Sequence, residues 1–176
     1  PIDEIIALDE RRRTLLAAGG VRARIVADFA PLAGELAALW RQTHERAREY
    51  RREVLGPEFF RGLSEELGAD AAVLLLEKDG ACLAFALLVA EGERLVWPYC
   101  GLDYARNGEY ELYFNLLHEI IFHACRLGAR EVEMGITTLD AKKRVGASVR
   151  PLLMYMRHRN PCLRGLAPWL FRRLAP

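Results

Sequence analysis

With 25 Lys and Arg against 24 Asp and Glu in 176 residues, the chain has a formal net charge of +1, too little for its overall field to hold nucleic acid or a membrane surface. The length suits one domain that buries a core without disulfide or metal staples, and Cys82, Cys100, Cys125 and Cys162 fall in no Cys-x-x-Cys or Cys/His ligand spacing. They read as reduced, mostly buried thiols, so a cytoplasmic location is expected; no apolar run reaches the roughly 20 residues of a membrane span and no signal peptide is expected. Because the first residue is Pro1 rather than Met, a piece of a longer protein is an expectation.

The first third has helical patterning. In "PIDEIIALDERRRTLLAAGG", Ile5, Ile6, Leu8, Leu15 and Leu16 form a loose apolar set that Gly19-Gly20 ends. "VRARIVAD" alternates apolar and charged residues, as a half-buried strand does. From about Leu32 to Leu55, apolar positions at Leu36, Leu39, Trp40, Thr43, Ala47, Tyr50 and Val54 recur at helical spacing. Arg41, Arg46, Arg48, Arg51 and Arg52 alternate with Glu45, Glu49 and Glu53 along that segment, which predicts a solvated face, with a polyanion contact as the alternative. "GPEFFRGLSEELGAD" predicts a second helix, started by Pro57 and stopped by Gly68.

Strands follow. "AAVLLLEKDGACLAFALLVAEGERLVWPYCGL" predicts consecutive strands turned at Asp79-Gly80 and Glu91-Gly92. "YELYFNLLHEIIFHACRLG" predicts an amphipathic helix with Leu112, Tyr113, Leu116, Leu117, Ile120 and Ala124 on one face and Gly128 as its stop. "REVEMGITT" is then a strand, so strand, helix and strand make a crossover unit. A short polar helix and a last strand, "LLMYMRH", complete the order. One domain over 1–176 is expected, mainly helical over 1–68 and strand-rich over 69–160, with its crossover helix over 110–127.

That order, read with particular residues, resembles the acyl-CoA N-acyltransferase fold of the GNAT superfamily, and within it the FemAB-like branch. The resemblance is carried by "DGACLAFALLVAEGERLVWPYCGLD", with its Tyr-x-Gly-x-Asp turn, by "YELYFNLLHEIIFHACRLGAREVEMGITT", and by the Lys- and Gly-containing "AKKRVGASVRPLLMY". "RRRTLLAAGGVRARIV" and "LWRQTHERAREYRR" are similar to the segment that precedes that domain. The resemblance implies an α/β (α+β) fold, with a mixed, mostly antiparallel central sheet flanked by helices. It also implies that the strands before and after the crossover helix splay apart to admit an acyl donor. Gly135, Thr137, Thr138, Lys142 and Gly146 would then lie at the mouth of the opening and hold acetyl-CoA or another acyl-CoA. The plainer alternative is a capped helix with exposed lysines, Thr138 or Asp140 capping and Gly146 breaking.

The chain departs from the superfamily before the crossover helix. "GLDYARNGEYELYF" contains Gly101 and Gly108 but no glycine-rich Arg/Gln-x-x-Gly-x-Gly/Ala loop. Glu109 and Glu111 stand where a pyrophosphate would meet the helix N-terminus, where acids are welcome and would repel a phosphate.

Acyl transfer to an amine needs a proton acceptor, donors near the reacting oxygen and an acid for the leaving group. Glu133, beside Met134 and Gly135, is the first candidate base, since a carboxylate in an apolar strand has a raised pKa; an ion pair with Lys142 or an arginine is the competing reading. Asp103 is a second catalytic candidate. Tyr99 and Tyr104 are expected to meet the acceptor, although turn chemistry also explains Asp103 and Tyr104. Tyr155 is placed to protonate a leaving thiolate, core packing being its alternative. Helix-surface pairing accounts for His118 with Glu111 and His123 with Glu119. The expected function is transfer of an acyl or aminoacyl group, from a CoA thioester or a charged tRNA, to a small-molecule or peptide amine. The alternative is an inactive module that keeps the fold for binding or oligomerisation. A homodimer or a partner domain is expected in either case.

Overall fold

The computed structural model describes residues 19–47 and 53–153, together with Arg159, Trp169 and Arg173. The helix expected before Gly19, several of the arginines between Arg46 and Glu53, and the last strand with Tyr155 lie outside the described residues.

Five strands form one sheet in the order β1-β2-β3-β4-β5. They are β1 (Arg22–Val26), β2 (Ala71–Lys78), β3 (Ala81–Glu91), β4 (Arg94–Leu102) and β5 (Glu131–Glu133). The first four pair antiparallel and β5 pairs parallel to β4. Asp79 and Gly80 both take positive φ, 50° and 79°, the two-residue turn whose twist suits a hairpin. β1 is fastened by a two-pronged contact in which Arg24 donates to Glu77 at 2.8 and 2.6 Å.

Helices cover both faces of the sheet, and the apolar runs of β2 and β3 feed two cores, as strands buried on both sides must. On one face Leu74, Leu76, Ala84, Ala86 and Leu88 pack on Leu112, Leu116, Leu117 and Ile120 of the crossover helix. On the other, Val73, Leu75, Phe85 and Leu87 meet Leu36 and Trp40 of α1 (Ala33–Arg46) and Phe60 of α2 (Pro57–Leu67). Ser64 ties α2 to the chain entering α1 by accepting the Phe29 and Ala30 amides at 3.1 and 3.2 Å.

The first-third helix is shorter than its apolar spacing predicts. It ends at Arg46, Ala47 is extended, and Val54 is exposed while Leu55 is buried. Pro57 disfavours helical geometry in the residue before it, and Gly56 is extended at φ −86°, ψ 175°, so α1 and α2 are not one continuous helix. The crossover helix also differs from its expected span. A single turn, α3 (Asn107–Tyr110), is set off by Glu111 in left-handed geometry (φ 46°) from α4 (Leu112–Leu127), which Gly128 ends. The strand expected through Thr138 pairs only over Glu131–Glu133, and α5 (Leu139–Arg144) follows a turn at Gly135.

Candidate active site

β4 carries an irregularity that divides its residues between the two faces. Pairing with β3 shifts between Leu87↔Tyr99 and Val89↔Val96, so Trp97 and Pro98 stand against one residue of β3. Pro98, which has no amide to donate, sits where the ladder is already broken, and the Trp97 indole donates to the Tyr99 carbonyl at 3.1 Å. Trp97 and Cys100 consequently belong to the α4 face, whereas Tyr99 belongs to the face of α1 and α2.

β5 accompanies β4 only at Arg94↔Glu131, Leu95↔Val132 and Val96↔Glu133. From Trp97 to Leu102, β4 has no partner on that side among the described residues. The result is a wedge that opens at the break in β4, with Gly135 beside it: a Cβ there would lie 3.9 Å from the Trp97 carbonyl.

Lys142 is the central group on the α4 side. It is buried, its Nζ donates to the Thr137 carbonyl at 2.5 Å, and the ammonium lies 5.5 Å from the centre of the Trp97 ring. Among the described residues no carboxylate pairs with it. Burial lowers its pKa, and the neighbouring Cys100 thiol works in the opposite direction. The Cys100 thiol is itself pushed up to about 12 by burial. Tyr113, whose ring centre is 6.1 Å from that of Trp97, is also raised to about 12 by burial, the Thr138 hydroxyl partly offsetting it. The resemblance places Lys142 at the mouth of the opening, with an exposed lysine on a capped helix as the plainer alternative. Tertiary packing turns it inward, and Lys143 remains exposed.

The other sequence candidates are placed as follows. Glu133 is exposed and ion-paired with Arg94, so the apolar strand environment expected for it is not what surrounds it. Asp103 accepts the Ala105 amide at 3.0 Å and pairs with Arg106 at 3.5 Å, which makes it a turn residue. The Tyr104 amide donates to Gln42 at 3.4 Å and its ring stacks under Arg46 at 4.7 Å, linking the end of β4 to α1. The Tyr99 hydroxyl donates to Glu53 at 3.3 Å. Gly135, Thr137 and Thr138 form the exposed rim of the wedge, and Gly146 lies beyond α5 in positive-φ geometry. Thr138 precedes α5 with no side-chain cap bond. Tyr155 is outside the described residues. Sequence reasoning named Lys142 but missed its grouping with Trp97, Tyr113 and Cys100, which come from β4 and α4 and give no local signal of that contact.

The start of α4 poorly suits a diphosphate. The Tyr113 amide is taken by the Asn107 side chain at 3.2 Å, the Asn115 amide by the Glu111 carbonyl at 3.0 Å, and Glu109 and Glu111 are exposed there. The wedge, in contrast, brings free β4 backbone, an indole, a phenol and an ammonium to one opening. Among the described residues no group of three His, Cys, Asp or Glu side chains is gathered to hold a metal ion, and no helix is long and apolar enough to cross a membrane.

A mostly antiparallel sheet that opens between its fourth and fifth strands around a crossover helix defines an acyltransferase architecture, and residues 7–143 match the acetyltransferase (GNAT) domain family. The chain belongs to that family. It is 32% identical over 143 residues, 79% of its length, to "Putative 8-amino-7-oxononanoate synthase 2" of Mycobacterium tuberculosis, from strains CDC 1551 / Oshkosh and ATCC 25618 / H37Rv, and spans 18% of the length of those relatives. Among solved structures, its fold is similar to glucosamine-6-phosphate N-acetyltransferase from Arabidopsis thaliana, with a TM-score of 0.56 and 15% identity, covering 77% of this chain and 97% of that one. It is also similar to the aminoglycoside N-acetyltransferase AAC(6')-Iy in complex with CoA, with a TM-score of 0.54 and 11% identity, covering 80% and 95%.

Proposed function

We propose that this chain is an N-acyltransferase that passes an acyl group from a CoA thioester to an amine. The observation that carries the reading is the wedge past Val96, where freed β4 backbone, Trp97, Tyr113 and the buried Lys142 line one opening. When bound, an acyl-CoA supplies the activated acyl carbon and a thiolate leaving group. Trp97 and Tyr113 would flank its arm and exclude water; Gly135, Thr137 and Thr138 would border the entrance; Lys142 would place positive charge near oxygen or sulfur where negative charge develops. Glu133 enters the proposal as base, and its pairing with Arg94 must open for it to act. Glu133→Gln should abolish turnover while the protein stays folded, and full activity in that variant removes Glu133 from the mechanism.

The test of the donor is the melting temperature with and without acetyl-CoA, free CoA and a longer acyl-CoA. A ligand at about 100 times its Kd adds about 2.7 kcal/mol of stability, and a clear rise with a CoA species is expected.

A second reading is favoured by the capped, acidic start of α4. In it the donor is a charged tRNA, as in FemAB-like proteins, and no CoA species shifts the melting temperature. tRNA binding would then fall steeply with salt. Protein that binds neither donor is the inactive module.

A further inference from the structure

We propose that Lys142 is a modification site: its side-chain nitrogen takes an acyl group from a thioester held in the wedge, and the resulting amide closes the wedge to further donor. The inference rests on the acyl-transfer reading above and concerns what the same opening does when no amine acceptor is present.

The chain contains three lysines, Lys78, Lys142 and Lys143. Their surroundings differ. Lys143 is exposed, and half-buried Lys78 donates to the Gly19 carbonyl with its ammonium 5.0 Å from the centre of the Tyr110 ring. Lys142 is the only buried Lys or Arg among the described residues. Ala141 of α5 and Val145 just after it pack on the core of the α4 face, so Lys142, beside them on the helix, is carried against Trp97 while Lys143 turns to solvent.

The nitrogen is positioned as well as buried. Nζ donates to the Thr137 carbonyl at 2.5 Å and lies 5.5 Å from the centre of the Trp97 ring. Cys100 of β4 and Tyr113 of α4 are the titratable groups in the same cluster, and burial holds the proton on each. No carboxylate among the described residues pairs with the ammonium. A buried ammonium without a counter-charge gives up its proton more readily, and burial lowers this one from 10.5. The neutral amine is a nucleophile. With one N–H committed to Thr137, its lone pair stays free for a carbonyl carbon.

In the step, that lone pair bonds the thioester carbonyl carbon, the C–S bond breaks, and the thiolate takes the proton that the nitrogen loses. The products are an acyl-Lys142 amide and a free thiol, with no change in oxidation state. The amide is uncharged. The wedge therefore loses its cation, and the acyl group fills the space beside Trp97.

The probe is acetyl-CoA, incubated with the 176-residue chain at mildly alkaline pH without any amine and followed by intact mass and peptide fragmentation. Acetylation of Lys142 ahead of Lys143 and Lys78 is expected, the reverse of the order that exposure alone would give. Excess free CoA should slow the labelling, and chain unfolded in urea should lose the preference. Lys142→Arg, which keeps the cation, should lose the fast-forming label, whereas Lys143→Arg should label as the native chain does. Chain already acetylated at Lys142 and freed of donor should show a smaller melting shift with fresh acetyl-CoA; an undiminished shift overturns the closing of the wedge. Labelling of Lys143 or Lys78 as fast as Lys142, or an unchanged mass, overturns the site. A melting rise with acetyl-CoA but no acetyl-Lys142 counts against this site alone, whereas no rise and no label counts against the donor reading as well.

Discussion

Lys142 and the Cys82 and Cys100 thiols titrate in opposite senses, and both effects follow from burial. Burial disfavours the charged form of each, which lowers the lysine from 10.5 and raises each thiol from 9.0 to about 12. For Lys142 the unfolded chain holds its proton to higher pH than the native state does. Its effect is therefore a rise in stability as pH climbs from the native pKa toward 10.5. For the thiols the native state holds the proton longer. Their contribution is complete below about pH 9 and is lost as pH rises from there through about 12. Above 10.5 the thiols act without the lysine's opposing effect, so stability from urea titrations should fall between pH 10.5 and 12, and Cys100→Ala should flatten part of that fall. A fall of equal steepness in the variant would place the alkaline sensitivity elsewhere.

The packing of α1 on β4 is decided by the lack of one side chain. A Cβ on Gly101 would lie 2.6 Å from the Leu39 carbonyl carbon and 2.6 Å from the Trp40 amide nitrogen, and closer still to Phe85 Cε1. Helix backbone cannot step aside as a flexible side chain can, so Gly101→Ala should cost about 1–3 kcal/mol, the usual range for overpacking. Equilibrium denaturation would measure it, and a change below about 0.5 kcal/mol, the scale of an ordinary surface substitution, would show that α1 packs more loosely. The consequence reaches the wedge. Tyr99 and Tyr104 flank Gly101, and Tyr104 reaches Gln42 and Arg46 on α1, so displacing the helix moves the end of β4 that borders it. Glycine in the Tyr-x-Gly-x-Asp turn was visible in the chain. Its purpose was not, because the clash comes from residues some sixty positions earlier.

At the scale of the molecule, one sheet separates two apolar layers, and the wedge between β4 and β5 is where groups from both layers come together. Much of this was legible. Strands buried on both faces write themselves as continuous apolar runs, as in "AVLLL" and "LAFALLV", and the hairpin at Asp79-Gly80, the helix start at Pro57 and the helix stop at Gly128 are local backbone preferences. The break at Glu111 and the short span of β5 were not legible, since both depend on what packs against them. Glu133 shows the limit at a single position: its neighbours in sequence suggest an apolar strand, yet its nearest charged group, Arg94, comes from another strand.

By itself the sequence determined the kinds of elements, their order and therefore the family, because hydrophobic period and turn chemistry act over a few neighbouring residues. Tertiary structure decided which polar side chains face one another. The broken register of β4 sends Cys100 inward to Lys142 and Tyr99 outward to Glu53. Residues far apart in the chain acquire a common environment only when the sheet brings them together, so burial, charge pairing and the opening between β4 and β5 are properties of the folded molecule.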